Sequence, residues 1–129
     1  MLRPFLAALA LGAFVPAALA QQAETYNLPG AQVTVTLHDF LTEEENSTLQ
    51  IIGQSPDALE LFLPEGGRFA ALAVAPDEGF IRDGIPVESA VAIGNLPDLA
   101  EARAAALEGC NAARSGGAEC QIVLEISPD

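Results

Sequence analysis

Residues 108 to 126, EGCNAARSGGAECQIVLEI, hold the only two cysteines in the chain, Cys110 and Cys120. They constrain the fold more than any other feature. The stretch leading to Cys110 is the clearest helix. Asp98 with Glu101 three places on has the form of a capping box. Leu99, Ala102, Ala106, Cys110 and Ala113 recur on one face at helical spacing, and that face is mostly alanine, so it can approach a sheet closely. Ser-Gly-Gly ends the helix. Cys120, Ile122, Leu124 and Ile126 then alternate strictly, which predicts a strand with all four on its inward face. A helix and the next strand joined by a tight turn bring the two sulfurs together. A metal clip needs more ligands, and the one histidine, His38, lies far away in sequence. A redox pair is normally Cys-x-x-Cys at a helix N-terminus, whereas Cys110 lies where the helix dipole disfavours a thiolate. The expected role is a disulfide staple, worth about 2–3 kcal/mol for a loop of this length.

A disulfide implies an oxidising compartment, and the N-terminus agrees. MLRPFLAALALGAFVPAALAQQ has Arg3 in a short positive region, an uncharged apolar core from Phe5 to Val15, and a small-x-small site at Ala18-Leu19-Ala20. The apolar run is too short for a comfortable membrane span. Residues 1–20 are expected to be a signal peptide, with the mature chain starting near Gln21 in the periplasm or outside the cell. Removing 20 of 129 residues leaves 109, which is one domain's worth.

The mature part has 4 arginines against 18 acidic residues, a net charge near −14, and no lysine. Pyridoxal-phosphate chemistry needs a lysine for its Schiff base and a P-loop needs one for its nucleotide, so both are excluded. So acidic a surface repels phosphate backbones and anionic lipid, which argues against nucleic-acid and membrane partners after cleavage. A soluble surface explains the charge, and attraction to cations or to a basic partner is the functional alternative.

Residues 21–30, QQAETYNLPG, read as a flexible lead-in ending in a Pro-Gly turn, and 31–127 as a single domain. AQVTVTLHDF alternates as a half-buried strand, with Val33, Val35 and Leu37 inward and Thr34, Thr36 and His38 towards solvent. Thr42 and Glu45 form a capping box at the start of a helix that Gly53 closes, with Glu43, Glu44 and Glu45 favoured in its first turn. Ser55 and Pro56 open a second helix with Leu59, Phe62 and Leu63 on its buried side, against a competing β-hairpin over 48–63. RFAALAVAP is an apolar run expected as a central strand covered on both sides, and VESAVAIG is a further strand of small residues. Between them DEGFIRDGIP is a polar loop. The predicted class is α+β: a small, mainly antiparallel sheet of about four strands, two or three helices packed most economically on one face, and one disulfide.

Candidates for chemistry are sparse. His38-Asp39 adjoin, and Ser47 or Ser89 offers a hydroxyl, but no Gly-x-Ser-x-Gly or His-Glu-x-x-His pattern exists. Capping accounts for Glu43, Glu44 and Glu45. Asp77, Glu78 and Asp83 are weak candidates for a cation in the 76–86 loop, whose spacing departs from the EF-hand.

The small-residue strand, then Ala102, Ala106, Leu107 and Cys110 as Ala-x-x-x-Ala-Leu-x-x-Cys, then Cys120 opening Cys-Gln-Ile-Val-Leu, resembles a small secreted bacterial domain of unknown function over roughly residues 68–126. The whole chain is also similar to short secreted proteins labelled 5-aminolevulinic acid synthase. That chemistry requires the missing lysine. The resemblance implies secretion, this fold and the disulfide, and supplies no catalytic residue. The expected function is an exported, non-catalytic cell-envelope protein without a cofactor, acting by interaction with an envelope protein. The alternative is a periplasmic cation- or small-ligand-binding protein using loop 76–86, and the third reading is a small hydrolase.

Overall fold

The computed structural model describes residues 21–62 and 68–128. The signal peptide expected over 1–20, and Leu63, lie outside these residues. Among the described residues seven strands and three helices follow in the order β1 (Gln21–Leu28), β2 (Ala31–His38), α1 (Glu43–Gln54), α2 (Pro56–Phe62), β3 (Phe69–Val74), β4 (Ile81–Arg82), β5 (Ile85–Pro86), β6 (Val91–Leu96), α3 (Leu99–Ala113) and β7 (Gln121–Pro128). Five strands form one antiparallel sheet in the order β1-β2-β7-β3-β6, and β4-β5 is a separate hairpin. This is the α+β class the sequence predicts. No helix among the described residues is long and apolar enough to cross a membrane.

The first departure is at residues 21–28. Expected as a flexible lead-in, they form β1, paired with β2 along its whole length from Gln21↔His38 to Leu28↔Ala31. Pro29-Gly30 makes the two-residue turn, with Gly30 at φ 84° as position i+2 of a type II turn requires. The strand is an edge, so its composition stays polar. Tyr26 and Leu28 pack on the core, while Glu24 accepts hydrogen bonds from the Tyr26 hydroxyl at 2.5 Å and from Gln50 Nε2 on α1 at 3.0 Å.

The second departure is that helices cover both faces rather than one. Alternation along β3 explains it: Ala70, Leu72 and Val74 join Val33, Val35, Leu49, Ile52 and Phe80 in one core, under α1 and α2. Ala71, Ala73 and Ala75 join Ala102, Ala106, Cys110 and Cys120 in the other, under α3. Alanine against alanine lets α3 lie close to the sheet, as its face predicts. Leu99 is only half-buried and Ala113 is exposed, so the buried face of α3 runs from Ala102 to Cys110.

Strand β7 serves both cores through a bulge. Its pairing with β3 shifts between Leu72↔Leu124 and Ala73↔Ile122, leaving Val123 as the extra residue. Cys120 and Ile122 therefore face α3, while Val123, Leu124 and Ile126 face α1. The expected single inward face for all four alternating residues is thus divided in two.

Helix boundaries follow local chemistry. Thr42 and Glu45 make the reciprocal box, each bond 3.0 Å. Ser55 Oγ accepts the Ala58 N–H, and Pro56 takes the first turn of α2, so residues 48–62 are helical and not a hairpin. Asp98 accepts the Glu101 N–H at 2.8 Å. Gly53 has a different role from the expected stop, since it lies within α1. A Cβ there would come within 2.6 Å of Val35 Cγ2 and 3.2 Å of the Tyr26 ring. Gly53→Ala would gain about 1 kcal/mol of helix propensity. The clash under α1 is expected to outweigh that gain, so the urea midpoint should fall, by a net of about 1–2 kcal/mol. An unchanged or higher midpoint would show that α1 can lift without loss.

Candidate functional site

A cleft of about 500 Å³ opens between the start of α1 and the β4-β5 hairpin. Phe40, Thr42, Glu44, Glu45 and Thr48 form one wall; Pro76, Gly79, Ile81, Arg82, Asp83 and Gly84 form the other. Six lining residues thus come from the 76–86 loop. The loop is shaped by its own turn: Asp83 at φ 57° and Gly84 at φ 78° are the two left-handed positions of a type I′ hairpin. That Asp-Gly signal is present in the sequence, where the segment reads as a polar loop.

Glu45 holds the two walls together. Its Oε1 accepts the Thr42 N–H of the capping box, while Oε2 accepts the N–H groups of Phe80 at 2.7 Å and Ile81 at 2.9 Å. Gly79 makes room, since a Cβ there would meet Oε2 at 2.9 Å. Burial alone would raise the Glu45 pKa. The backbone N–H groups of Thr42, Ile81 and Phe80 and the Thr42 hydroxyl outweigh it and hold the carboxyl below its ordinary value.

Of the three acidic candidates only Asp83 lines the cleft. Asp77 Oδ2 accepts the Ala118 N–H at 3.0 Å, and Glu78 Oε2 accepts the Ser115 N–H at 2.6 Å. Glu78 Oε1 also accepts the hydroxyl of buried Ser89 at 2.5 Å, and this bond leads the contacts that lower its pKa. Both carboxylates therefore tie the 76–79 turn to the turn after α3. Asp83 lies in the hairpin turn, on the cleft wall and away from these two anchors. Among the described residues no three His, Cys, Asp or Glu side chains are placed to hold one metal ion.

The cysteines meet as the sequence predicts. Sγ–Sγ is 2.09 Å with the Cα atoms 6.2 Å apart. Asn111, between them in sequence, accepts the Cys120 N–H at 3.0 Å and the Arg114 Nε–H at 2.8 Å. No feature of the sequence singled Asn111 out.

No family model, curated protein or solved structure matches this chain. Its function therefore rests on what its own groups can do.

His38 is not on the solvent side. Only 5 % exposed, it stacks on Phe40 at 4.6 Å between ring centroids. Its Nε2 lies 3.2 Å from the Ile122 carbonyl, past the last β2-β7 pair, Val35↔Leu124. A carbonyl only accepts, so Nε2 carries the proton. Burial is the main cause that lowers the His38 pKa, partly opposed by this bond and by the Asp39 charge. The unfolded chain takes up the proton near its ordinary value of 6.5, and the folded one only at lower pH. Stability from this group is complete above pH 6.5 and should decline as pH falls below it. Urea midpoints between pH 7.5 and 5.5 should show that slope, and His38→Gln should remove it; a slope unchanged in the variant would assign it elsewhere. Ser47 is exposed on α1, and Ser89 points at Glu78. His38 and Ser89 thus have separate partners.

Proposed function

We propose that this is an exported, non-catalytic domain of the cell envelope that acts by protein interaction, akin to the secreted bacterial domain it resembles over residues 68–126. One observation carries the reading. The buried side chains best suited to chemistry are engaged with backbone or structural partners: His38 with the Ile122 carbonyl, Glu45 with three N–H groups, Ser89 with Glu78. Such groups hold a surface in shape rather than turn over a substrate. The Cys110–Cys120 disulfide is compatible with an oxidising compartment.

Native mass spectrometry of the unreduced protein from its own envelope fraction, before and after mild cross-linking, tests this. The expected result is a chain starting near Gln21, two hydrogens lighter than its thiol form, that gains one second protein on cross-linking. A full-length chain with residues 1–20 attached and free thiols would sink the export reading. A hydrolytic activity that vanished with His38→Ala while the fold survived would sink the non-catalytic one.

The cleft supports a second reading, a cation or small ligand held by the 76–86 loop, with Glu44, Arg82 and Asp83 as its charged groups beside Glu45, which is engaged with backbone N–H groups. Millimolar calcium should then raise the melting temperature, and Glu44→Gln/Asp83→Asn should abolish the rise. No shift in the unmodified protein would remove calcium as the ligand.

A further inference from the structure

Among the described residues the five-stranded sheet ends at β1 on one side and β6 on the other, and the two edges differ. At β1 the strand carries a charge at mid-length, Glu24, with its hydrogen bonds to Tyr26 and Gln50. At β6 the sequence VAIGNL has no charged residue, although the chain carries 18 acidic ones. Natural proteins usually blunt an edge with charge or proline, because its free N–H and C=O groups invite another strand. Here the limits are positional: Gly94 and Asn95 together oppose Ala70 in a bulge, Asn95 adopts φ 63°, and Pro97 follows. They leave Val91–Ile93 as a short regular template.

That template is held firmly. Val91 and Ile93 pack into the α3 core and Ala92 into the other, while β3 pairs with the inner side of β6 only. Gly109 of α3 packs so closely that a Cβ would lie 3.1 Å from Val91 Cγ1. A strand fixed on both faces loses little freedom when an extended segment joins its outer side, which favours strand addition.

Charge selects the occupant. Exposed Glu88 precedes the strand, and exposed Asp98 and Glu101 follow it; exposed Arg68, next to the Phe69↔Leu96 pair, offsets only part of the charge at the far end. A second copy added antiparallel would set Glu88 of each protomer towards Asp98 and Glu101 of the other, so self-pairing is opposed. We infer that the outer edge of β6 docks a short extended segment of a partner protein that carries basic residues at both ends. This rests on the interaction reading above and gives it a surface.

The test is amide hydrogen exchange by NMR on the oxidised protein, with the peptide Lys-Lys-Val-Thr-Val-Thr-Lys-Lys as probe. Exchange at β6 should slow by about tenfold or more at saturation, while β1 is unaffected. Added salt should weaken binding, glutamate in place of the lysines should abolish it, and Glu88→Lys/Glu101→Lys should weaken it about tenfold. Both substitutions are at exposed positions, so the fold should persist. Protection at β1 instead of β6, no protection at all, or undiminished binding by the charge-reversed variant would overturn the edge assignment. Cross-linking in the envelope keeps the two readings apart: a captured partner together with an unprotected β6 would discard this edge and leave the interaction reading standing.

Discussion

Glu45→Ala is expected to destabilise the fold by about 3 kcal/mol. The side chain is 6 % exposed and accepts three backbone N–H bonds, from Thr42, Phe80 and Ile81. Removing an acceptor leaves its donors to bear a desolvation cost of about 1–3 kcal/mol each where water cannot replace it. Thr42 is exposed and can turn to solvent, so its share is the smallest. Phe80 is buried and Ile81 half-buried, so the loss falls mainly on their amides. Glu45→Gln keeps one oxygen acceptor and loses the charge, so it should fall between the two. The pH dependence separates charge from shape. The folded carboxyl titrates below its ordinary 4.5, so its stabilisation is complete above that pH and is lost as pH falls through the folded value. Glu45→Gln should therefore shed part of the acid-induced loss below pH 4.5. Urea denaturation at pH 7 and pH 4 checks both points, and a change under about 0.5 kcal/mol at pH 7 would mean that water takes over the amides. The same variant should speed amide exchange in the β4-β5 hairpin, because Glu45 is the strut between that hairpin and α1.

What the sequence disclosed, and what it hid, divides by the range of the interaction. The Thr42–Glu45 box, the Ser55-Pro56 start of α2 and the alanine face of α3 each depend on residues three or four apart, and each was legible. The second oxygen of Glu45 reaches amides 35 and 36 residues away, and no local pattern marks it. His38 was misplaced for the same reason. Alternation puts it with Thr34 and Thr36, but its partner is a carbonyl 84 residues on, where β7 continues beyond the paired ladder. Bulges are the other blind spot. Val123 fits strict alternation perfectly, and only the pairing with β3 shows that one added residue turns Cys120 and Ile122 to the opposite core from Leu124 and Ile126. β1 was hidden by its place at an edge, where only Tyr26 and Leu28 need be apolar. Of the site, the 76–86 loop is legible as an acidic feature with Asp77, Glu78 and Asp83 as weak cation candidates, but no local pattern shows that Asp77 and Glu78 hold amides of the turn after α3.

Replacing both cysteines, Cys110→Ala/Cys120→Ala, should cost about 2–5 kcal/mol, the largest effect expected of any change in this chain. The bond closes a short loop, with its ends 10 residues apart in sequence, so confinement of the unfolded chain supplies about 2–3 kcal/mol. Packing adds to it, since Cys110 is fully buried and Cys120 nearly so, among Ala71, Ala73, Ala75, Ala102 and Ala106. Small neighbours cannot move in to fill the space that two sulfurs leave. The folded loop itself should persist, because Asn111, Arg114, Asp77 and Glu78 hold it independently of the sulfurs. The loss should thus appear as earlier global unfolding, without a frayed loop in the native state. In a domain of about 100 residues each kcal/mol shifts the melting temperature by about 4–8 °C, so a loss of 3 kcal/mol means about 12–24 °C. Reduction of the unmodified protein provides the control: it restores two thiols, keeps most of the buried volume, and should reproduce only the confinement part. If the alanine variant and the reduced protein melt together, confinement accounts for the whole effect. If neither moves by more than about 2 °C, the hydrogen-bonded loop already does the work assigned to the disulfide.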